Sequence, residues 1–340
     1  FPKEILSLRS FLYKCVCIVL KLAYLNLKQK CIIKALPIKM KNKVITVFGT
    51  GFIGKNLIFK LLQEGYIVRA VCRQPNLAGD TRLMGNVGEL EVCYGNIVHK
   101  ETIESFFETS DIIINLVGVL NESGGESYFN SHVTGPDNIS YLARKYKIEQ
   151  LIHLSSIGAN INGESQYQIT KGKGEEIIYK NYPSAKIIRP SIVFGPEDGF
   201  FNVQSKILKI SPVVPMFGGG GNKFQPVYVK DVVNGMIEIL KDENAKGLIY
   251  EFGGPDIMTM RDIYKLILKT LNIKRILIPA PIFVANIIAT FAQLLPNPII
   301  TRDLVKALKF DNVVKEKKNT LESLNINPSS AELIVPTYLK

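Results

Sequence analysis

The chain has 340 residues, 46% hydrophobic and 21% charged, with no tryptophan. That composition fits a globular protein and excludes a collagenous or disordered one, and the length suits a sheet-based domain with an added lobe. The net charge of +12 is uneven, because residues 1–39 hold eight basic residues against Glu4 alone, a local +7 that leaves +5 for the remaining 301. So small and scattered an excess argues against a nucleic-acid partner, since such binders gather Lys and Arg on one face. Five Cys without a CxxC pair and three separated His (His99, His132, His153) indicate neither a disulfide framework nor a metal site, and they suit a reducing compartment.

In residues 1–39, Lys14, Lys21 and Lys28 are spaced seven apart between apolar stretches, which predicts a basic amphipathic helix. A transit-like peptide, an interfacial anchor and sequence translated upstream of the true start all fit. The third is preferred here, since Met40 precedes a polar lead-in and the first clear strand. A membrane span is disfavoured, because Lys14 and Lys21 interrupt the about 20 apolar residues that one needs.

Residues 44–48 form a β-branched apolar run, followed by Gly49-Thr50-Gly51-Phe52-Ile53-Gly54 and by helical periodicity over residues 56–63. In this strand, turn and helix, Gly49 permits the tight turn and Gly51 lets the backbone approach a pyrophosphate. Gly54 allows close helix packing, and the helix N-terminus offers N–H donors to phosphate.

A second strand is predicted over residues 66–72. At its end a site selective for NAD places an acid against the ribose hydroxyls, whereas this chain reads Cys72-Arg73-Gln74 with no acid before Asp80. Arg73 therefore favours a 2′-phosphate, making NADP(H) the preferred cofactor and NAD(H) the alternative. Arg69 either adds to the same field or faces solvent.

Strands are further predicted over residues 91–94, 112–117, 151–155 and 186–188, with helices over 100–108 and 139–146 between them. This alternation gives a Rossmann-like, doubly wound parallel sheet of the α/β class. Its ligand crevice lies at the strands' carboxyl ends, which brings in Asn96, Ile97, Leu116, Gly118, Ser155 and Pro190 as cofactor-binding candidates.

Tyr167 and Lys171 stand one helical turn apart on one face. A Lys ammonium beside a phenol lowers the phenol's pKa, so that it can exchange a proton with a substrate hydroxyl while hydride moves to or from nicotinamide. Ser155 or Ser156 would hold the substrate oxygen. Tyr167, Lys171 and Ser156 are the catalytic candidates, the first two also touching cofactor.

Through Gly49 to Gly54, Leu154-Ser155-Ser156, Tyr167 with Lys171, and Arg189-Pro190-Ser191-Ile192-Val193-Phe194-Gly195, the chain resembles the extended and atypical short-chain dehydrogenase/reductase (NAD-dependent epimerase/dehydratase) superfamily over about residues 42–310. Within it the chain is most similar to the atypical branch containing the 39 kDa accessory subunit of respiratory complex I and its bacterial relatives. That similarity rests on Gln225-Pro226-Val227-Tyr228-Val229-Lys230-Asp231-Val232 and Ile300-Thr301-Arg302-Asp303. The resemblance implies NADPH binding and a structural role, with complex I subunits as partners at a membrane surface, in bacterial cytoplasm or on the mitochondrial matrix face. The alternative it leaves open is an epimerase, dehydratase or reductase acting on a sugar nucleotide or other alcohol through Tyr167 and Lys171. The chain departs from the extended enzymes in having one Gly fewer in its loop, Asn96 where Asp is usual, and Ser156 eleven residues before Tyr167.

The division expected is a basic extension (1–39), a dinucleotide-binding domain (40–195) with a return strand near 247–254, and a small, mostly helical C-terminal lobe (196–340). In the lobe, residues 217–221 should be a flexible glycine loop and Asp231 the N-cap of a helix over 232–240. Residues 276–300 carry no charge and read as an apolar helix with a thin polar stripe of Asn286, Thr290 and Gln293. Burial within the lobe is the preferred reading of that helix, and docking against a membrane-embedded partner the alternative.

Overall fold

A computed structural model describes residues 43–340 apart from 123–124, 243–244, 246, 294–297, 299 and 316–317. The expectations for residues 1–39 and for a start at Met40 lie outside the described residues. Apolar runs rich in Val and Ile form strands β1 (Val44–Phe48), β2 (Ile67–Cys72), β3 (Leu90–Tyr94), β4 (Ile112–Asn115), β5 (Gln150–Leu154), β6 (Lys186–Pro190) and β7 (Ile249–Phe252). They pair in the order β7-β6-β5-β4-β1-β2-β3, every neighbour parallel. All four residues of β4 are buried, as expected of a strand covered by helices on both faces.

Helix α1 (Phe52–Gln63) buries Gly54, Leu57, Ile58 and Leu61, the one-face spacing of an amphipathic helix. The remaining sheet helices are α2 (Gly135–Lys145), α3 (Gln166–Asn181) and α4 (Val229–Lys241), the last packed against α1. Although α4 and β7 fall after residue 195 in the chain, both complete the sheet layer.

Helices Phe201–Ile210, Met260–Leu271 and Ala331–Tyr338 enclose the core of the lobe, in which Phe201, Leu208, Ile263, Ile267 and Val335 are buried.

Four local expectations change. The helix over 100–108 breaks into a 3-10 turn, Lys100–Thr102, and a single α-turn, Glu104–Phe107. Asp231 is not an N-cap: Tyr228 holds that position, and the Asp231 carboxylate, inside the first turn, accepts the Ser329 N–H at 2.7 Å. The glycines of 217–221 form a 3-10 turn, Gly218–Gly220, with φ of 63°, 78° and 70°, conformations that a Cβ disfavours.

Finally, residues 276–300 are not one helix. Ile276–Ala280 is a strand parallel to Val213–Phe217, and among the described residues of this stretch only Ile282–Ala292 (α5) is helical, because Pro279 and Pro281 exclude helix before it. Nor is α5 buried. Only Ala285 and Ala289 are covered, against Val305 of α6 (Arg302–Ala307), while Phe283, Ile287 and Phe291 are 60%, 53% and 68% exposed.

Candidate dinucleotide site

The glycine turn joins β1 to α1 at the carboxyl edge of the sheet. Gly49 has φ of 103° and donates to the Val71 carbonyl at 3.0 Å, tying the turn to the end of β2. A Cβ at Gly54 would lie 2.1 Å from the Gly49 oxygen, so only glycine lets the helix start this close to the turn. A Cβ at Gly51 would meet nothing within 4 Å. Gly51 itself is the N-cap, without a side-chain cap, and the first turn has no acidic residue, which leaves its N–H groups for an anion. Thr50, Phe52 and Ile53 belong to the same turn, and Leu116 packs its side chain against Gly49 and Gly54.

At the end of β5 the hydroxyls of Ser155 and Ser156 are buried; that of Ser155 has no hydrogen-bond partner, while that of Ser156 lies close to the Tyr167 phenol. Buried polar groups are normally paired, so the Ser155 orphan, on the same sheet edge as the open glycine turn, fits a polar ligand running along this edge. Lys171 Nζ donates to the Leu154 carbonyl at 3.2 Å, and a Cβ at Gly118 would lie 3.1 Å from it. The ammonium thus faces the loop after β4, where a nicotinamide ribose would sit in such a fold. The turn, the unpartnered Ser155 hydroxyl and Lys171 together fit a dinucleotide.

Several packing features hold α3 in place. Its sequence Lys171-Gly172-Lys173-Gly174 carries two glycines that cost helix propensity. A Cβ at Gly174 would stand 2.0 Å from the His132 carbonyl, and one at Gly172 2.6 Å from the Ile161 nitrogen, so they permit close approach. Arg189 on β6 donates to both Glu175 carboxylate oxygens, at 2.9 and 2.5 Å, clamping the helix to the sheet. At the N-terminus Ser165 and Gln168 form a capping box, and Asp303 accepts the N–H groups of Gln166 (2.5 Å) and Tyr167 (3.0 Å). A carboxylate from α6 of the lobe therefore sits on the positive end of the helix carrying Tyr167.

His132, Thr170 and Asp303 escaped the sequence reading as site residues. His132 Nε2 accepts the Val119 N–H at 3.1 Å, so its Nδ1 carries the proton toward Thr170 Oγ1 at 3.1 Å, and Thr170 donates on to Gln166. The imidazole thereby joins the loop after β4 to α3. Burial, aided by the Lys171 charge, pulls its pKa down to about 2, so it stays neutral. The Tyr167 ring stands edge-on to His132 (centroids 5.4 Å apart) and to Tyr128 (5.9 Å). A lone His in a helical stretch carries no sequence signal for this role.

The electrostatics of Tyr167 correct the expectation. Burial raises the phenol's pKa, with the Ser156 hydroxyl opposing, so the net shift runs opposite to the lowering expected from Lys171. Lys171 is itself pulled down to about 8 by burial, with Glu175 opposing. The Tyr and Lys are together on α3, one turn apart.

Two other candidates turn inward. The Ile97 side chain is buried in the core under α2, with its carbonyl accepting from Asn138 at 2.9 Å. Pro190 is buried at the end of β6, with its carbonyl accepting the Ile157 N–H. The Asn96 side chain accepts the Val98 N–H at 3.1 Å and orders the loop after β3. Arg73 directly follows β2, half exposed, with Nη1 2.5 Å from a carboxylate oxygen of Glu126. Arg69 is engaged by Glu91 (2.8 Å) and Thr109 (2.9 Å) and adds nothing to that field.

Residues 45–253, the span that builds this sheet and its edge, match the NAD dependent epimerase/dehydratase family. The chain belongs to that family. Among family relatives it is similar to the mitochondrial NADH dehydrogenase (ubiquinone) 1 alpha subcomplex subunit 9 of Mus musculus, 31% identical over 294 residues, covering 85% of this chain and 78% of the relative. The Arabidopsis thaliana protein of the same name is 28% identical over 298 residues, covering 84% and 74%. In structure, UDP-glucose 4-epimerase from Thermotoga maritima superposes with a TM-score of 0.63 at 19% identity, covering 87% of this chain and 97% of that one. At that identity the likeness is one of fold. The epimerase/dehydratase membership and the glycine turn agree on a fold that binds NAD(P).

Proposed function

We propose that this chain is an NADP(H)-binding accessory or assembly subunit of an NADH:ubiquinone oxidoreductase of the complex I type, in which the Tyr167 site binds cofactor without turnover. The observation that carries this reading is the extent of the similarity to the mouse subunit. An alignment covering 85% of 340 residues must run past residue 253, beyond the nucleotide-binding match and into the lobe.

The lobe supports it. Phe283, Ile287 and Phe291 repeat every four residues along α5, with Ile276 and Ile278 exposed on the strand before it. Large apolar side chains in such a row suit a partner or membrane surface better than water. Among the described residues no helix is long and apolar enough to cross a membrane, so attachment would be peripheral.

In the cofactor site, the glycine turn and the N-terminus of α1 would hold the pyrophosphate, Arg73 the 2′-phosphate, and Lys171 with Ser155 the nicotinamide end. A bound nicotinamide supplies hydride chemistry. What this chain adds is positioning: Lys171 is fixed on the Leu154 carbonyl, while the Tyr167 phenol keeps its proton.

The test is native electrophoresis of mildly solubilised membranes together with assays of the purified chain. Comigration with the oxidoreductase is expected, with Tyr167→Phe leaving both assembly and NADPH binding unchanged and Lys171→Ala weakening NADPH. Turnover of an alcohol or sugar nucleotide that Tyr167→Phe abolishes, with cofactor still bound, would overturn the reading in favour of an enzyme.

A further inference from the structure

The residue facing Arg73 is an acid from elsewhere in the chain. In the sheet β2 and β4 flank β1, so their ends lie about 10 Å apart on either side of the glycine turn. Arg73 directly follows β2, and Glu126 comes from the connection between β4 and α2. Their 2.5 Å ion pair therefore ties the residue after β2 to the connection after β4, the two segments that flank the glycine turn.

We propose that Glu126 sets the chain's discrimination between phosphorylated and unphosphorylated dinucleotides by competing with the 2′-phosphate for the Arg73 guanidinium. The proposal rests on the reading of Arg73 given above. Side-chain exposures of 53% for Arg73 and 31% for Glu126 make this a partly solvated pair. Such pairs hold one another weakly, by about two- to fivefold in an equilibrium.

A 2′-phosphate brings nearly two charges and three acceptor oxygens to the guanidinium fork and displaces a single carboxylate. An unphosphorylated ribose has nothing to displace it with, so the pair stays closed. Glu126 thus lowers the affinity for NADPH, by the strength of the pair, and leaves that for NADH alone. Without Glu126 the preference for the phosphorylated cofactor is larger than in the native chain.

The test is calorimetric Kd measurement for NADPH and NADH with the full chain, Glu126→Gln, Arg73→Gln and the double variant at fixed salt. Glu126→Gln is expected to tighten NADPH about two- to fivefold and leave NADH within experimental error, which also reports that the variant is folded. In the Arg73→Gln background the same change should have no effect on NADPH. Equal tightening with and without Arg73 would mean through-space repulsion and overturn the competition. So would an unchanged NADPH to NADH ratio in Glu126→Gln while Arg73→Gln lowers that ratio. If Arg73→Gln itself leaves the ratio untouched, the reading of Arg73 fails and the proposal fails with it.

Discussion

Replacing Lys171 by Met should make the unliganded protein more stable near neutral pH while weakening its hold on the dinucleotide. Lys171 is 5% exposed, and burial lowers its pKa from 10.5 to about 8 against the smaller opposing effect of Glu175. Holding the ammonium protonated in the fold below pH 8 therefore costs about 3 kcal/mol relative to the unfolded chain. Between pH 8 and 10.5 the unfolded chain binds more protons at this position than the folded one, so native stability rises with pH through that window and the cost disappears at its upper end.

Methionine fills a similar volume without charge, and it forgoes the hydrogen bond to the Leu154 carbonyl, worth about 1 kcal/mol. The net expectation is that Lys171→Met is about 2 kcal/mol more stable than the parent at pH 7, or about 3 °C in Tm for a chain of this size. The difference should shrink from pH 8 upward and reverse near pH 10. Urea unfolding of both proteins from pH 6.5 to 10.5 measures this, since other titrations are common to the two and cancel. A variant less stable than the parent at pH 7, or a difference flat across the range, would refute the argument.

Two further predictions follow from the turn and from α3. Gly51→Ala should cost under about 1 kcal/mol of stability, from the poorer N-cap alone, because its Cβ meets nothing within 4 Å, yet weaken NADPH at least about tenfold, because the methyl points where a pyrophosphate passes. Gly54→Ala should lower both, the stability by about 1–3 kcal/mol, since its Cβ would collide with the Gly49 oxygen at 2.1 Å. Paired melting and titration curves separate the two effects. Asp303→Ala should lose about 1–2 kcal/mol of stability by uncapping α3, whereas Asp303→Asn, which keeps an acceptor, should lose less. Hydrogen exchange at the Gln166 and Tyr167 amides would report the release directly, and unchanged exchange in Asp303→Ala would count against the cap.

What the sequence determined by itself was local. The β-branched run over 44–48, the three glycines after it and the periodic helix over 56–63 specify strand, turn and helix within 20 residues, and all three formed. The one-turn spacing of Tyr167 and Lys171 likewise needed only helical geometry. The return strand was found because Ile249, Tyr250 and Phe252 are strand-favouring residues close together before Gly253, whereas the break over 100–107 left no mark in the local periodicity.

Tertiary structure decided where charges and apolar faces ended up. Arg73 meets Glu126 from beyond β4, and Asp303 reaches α3 from 136 residues away, and no local period encodes either meeting. The phenol of Tyr167 shifts upward because its environment is dry, and dryness belongs to the whole packing around Tyr128 and His132 rather than to the Tyr-Lys spacing. Residues 282–292 are apolar enough for a core, but hydropathy records only that a side chain prefers to leave water. Which surface receives it depends on what the rest of the fold has already covered, and here the lobe closes around other helices and leaves Phe283, Ile287 and Phe291 facing outward.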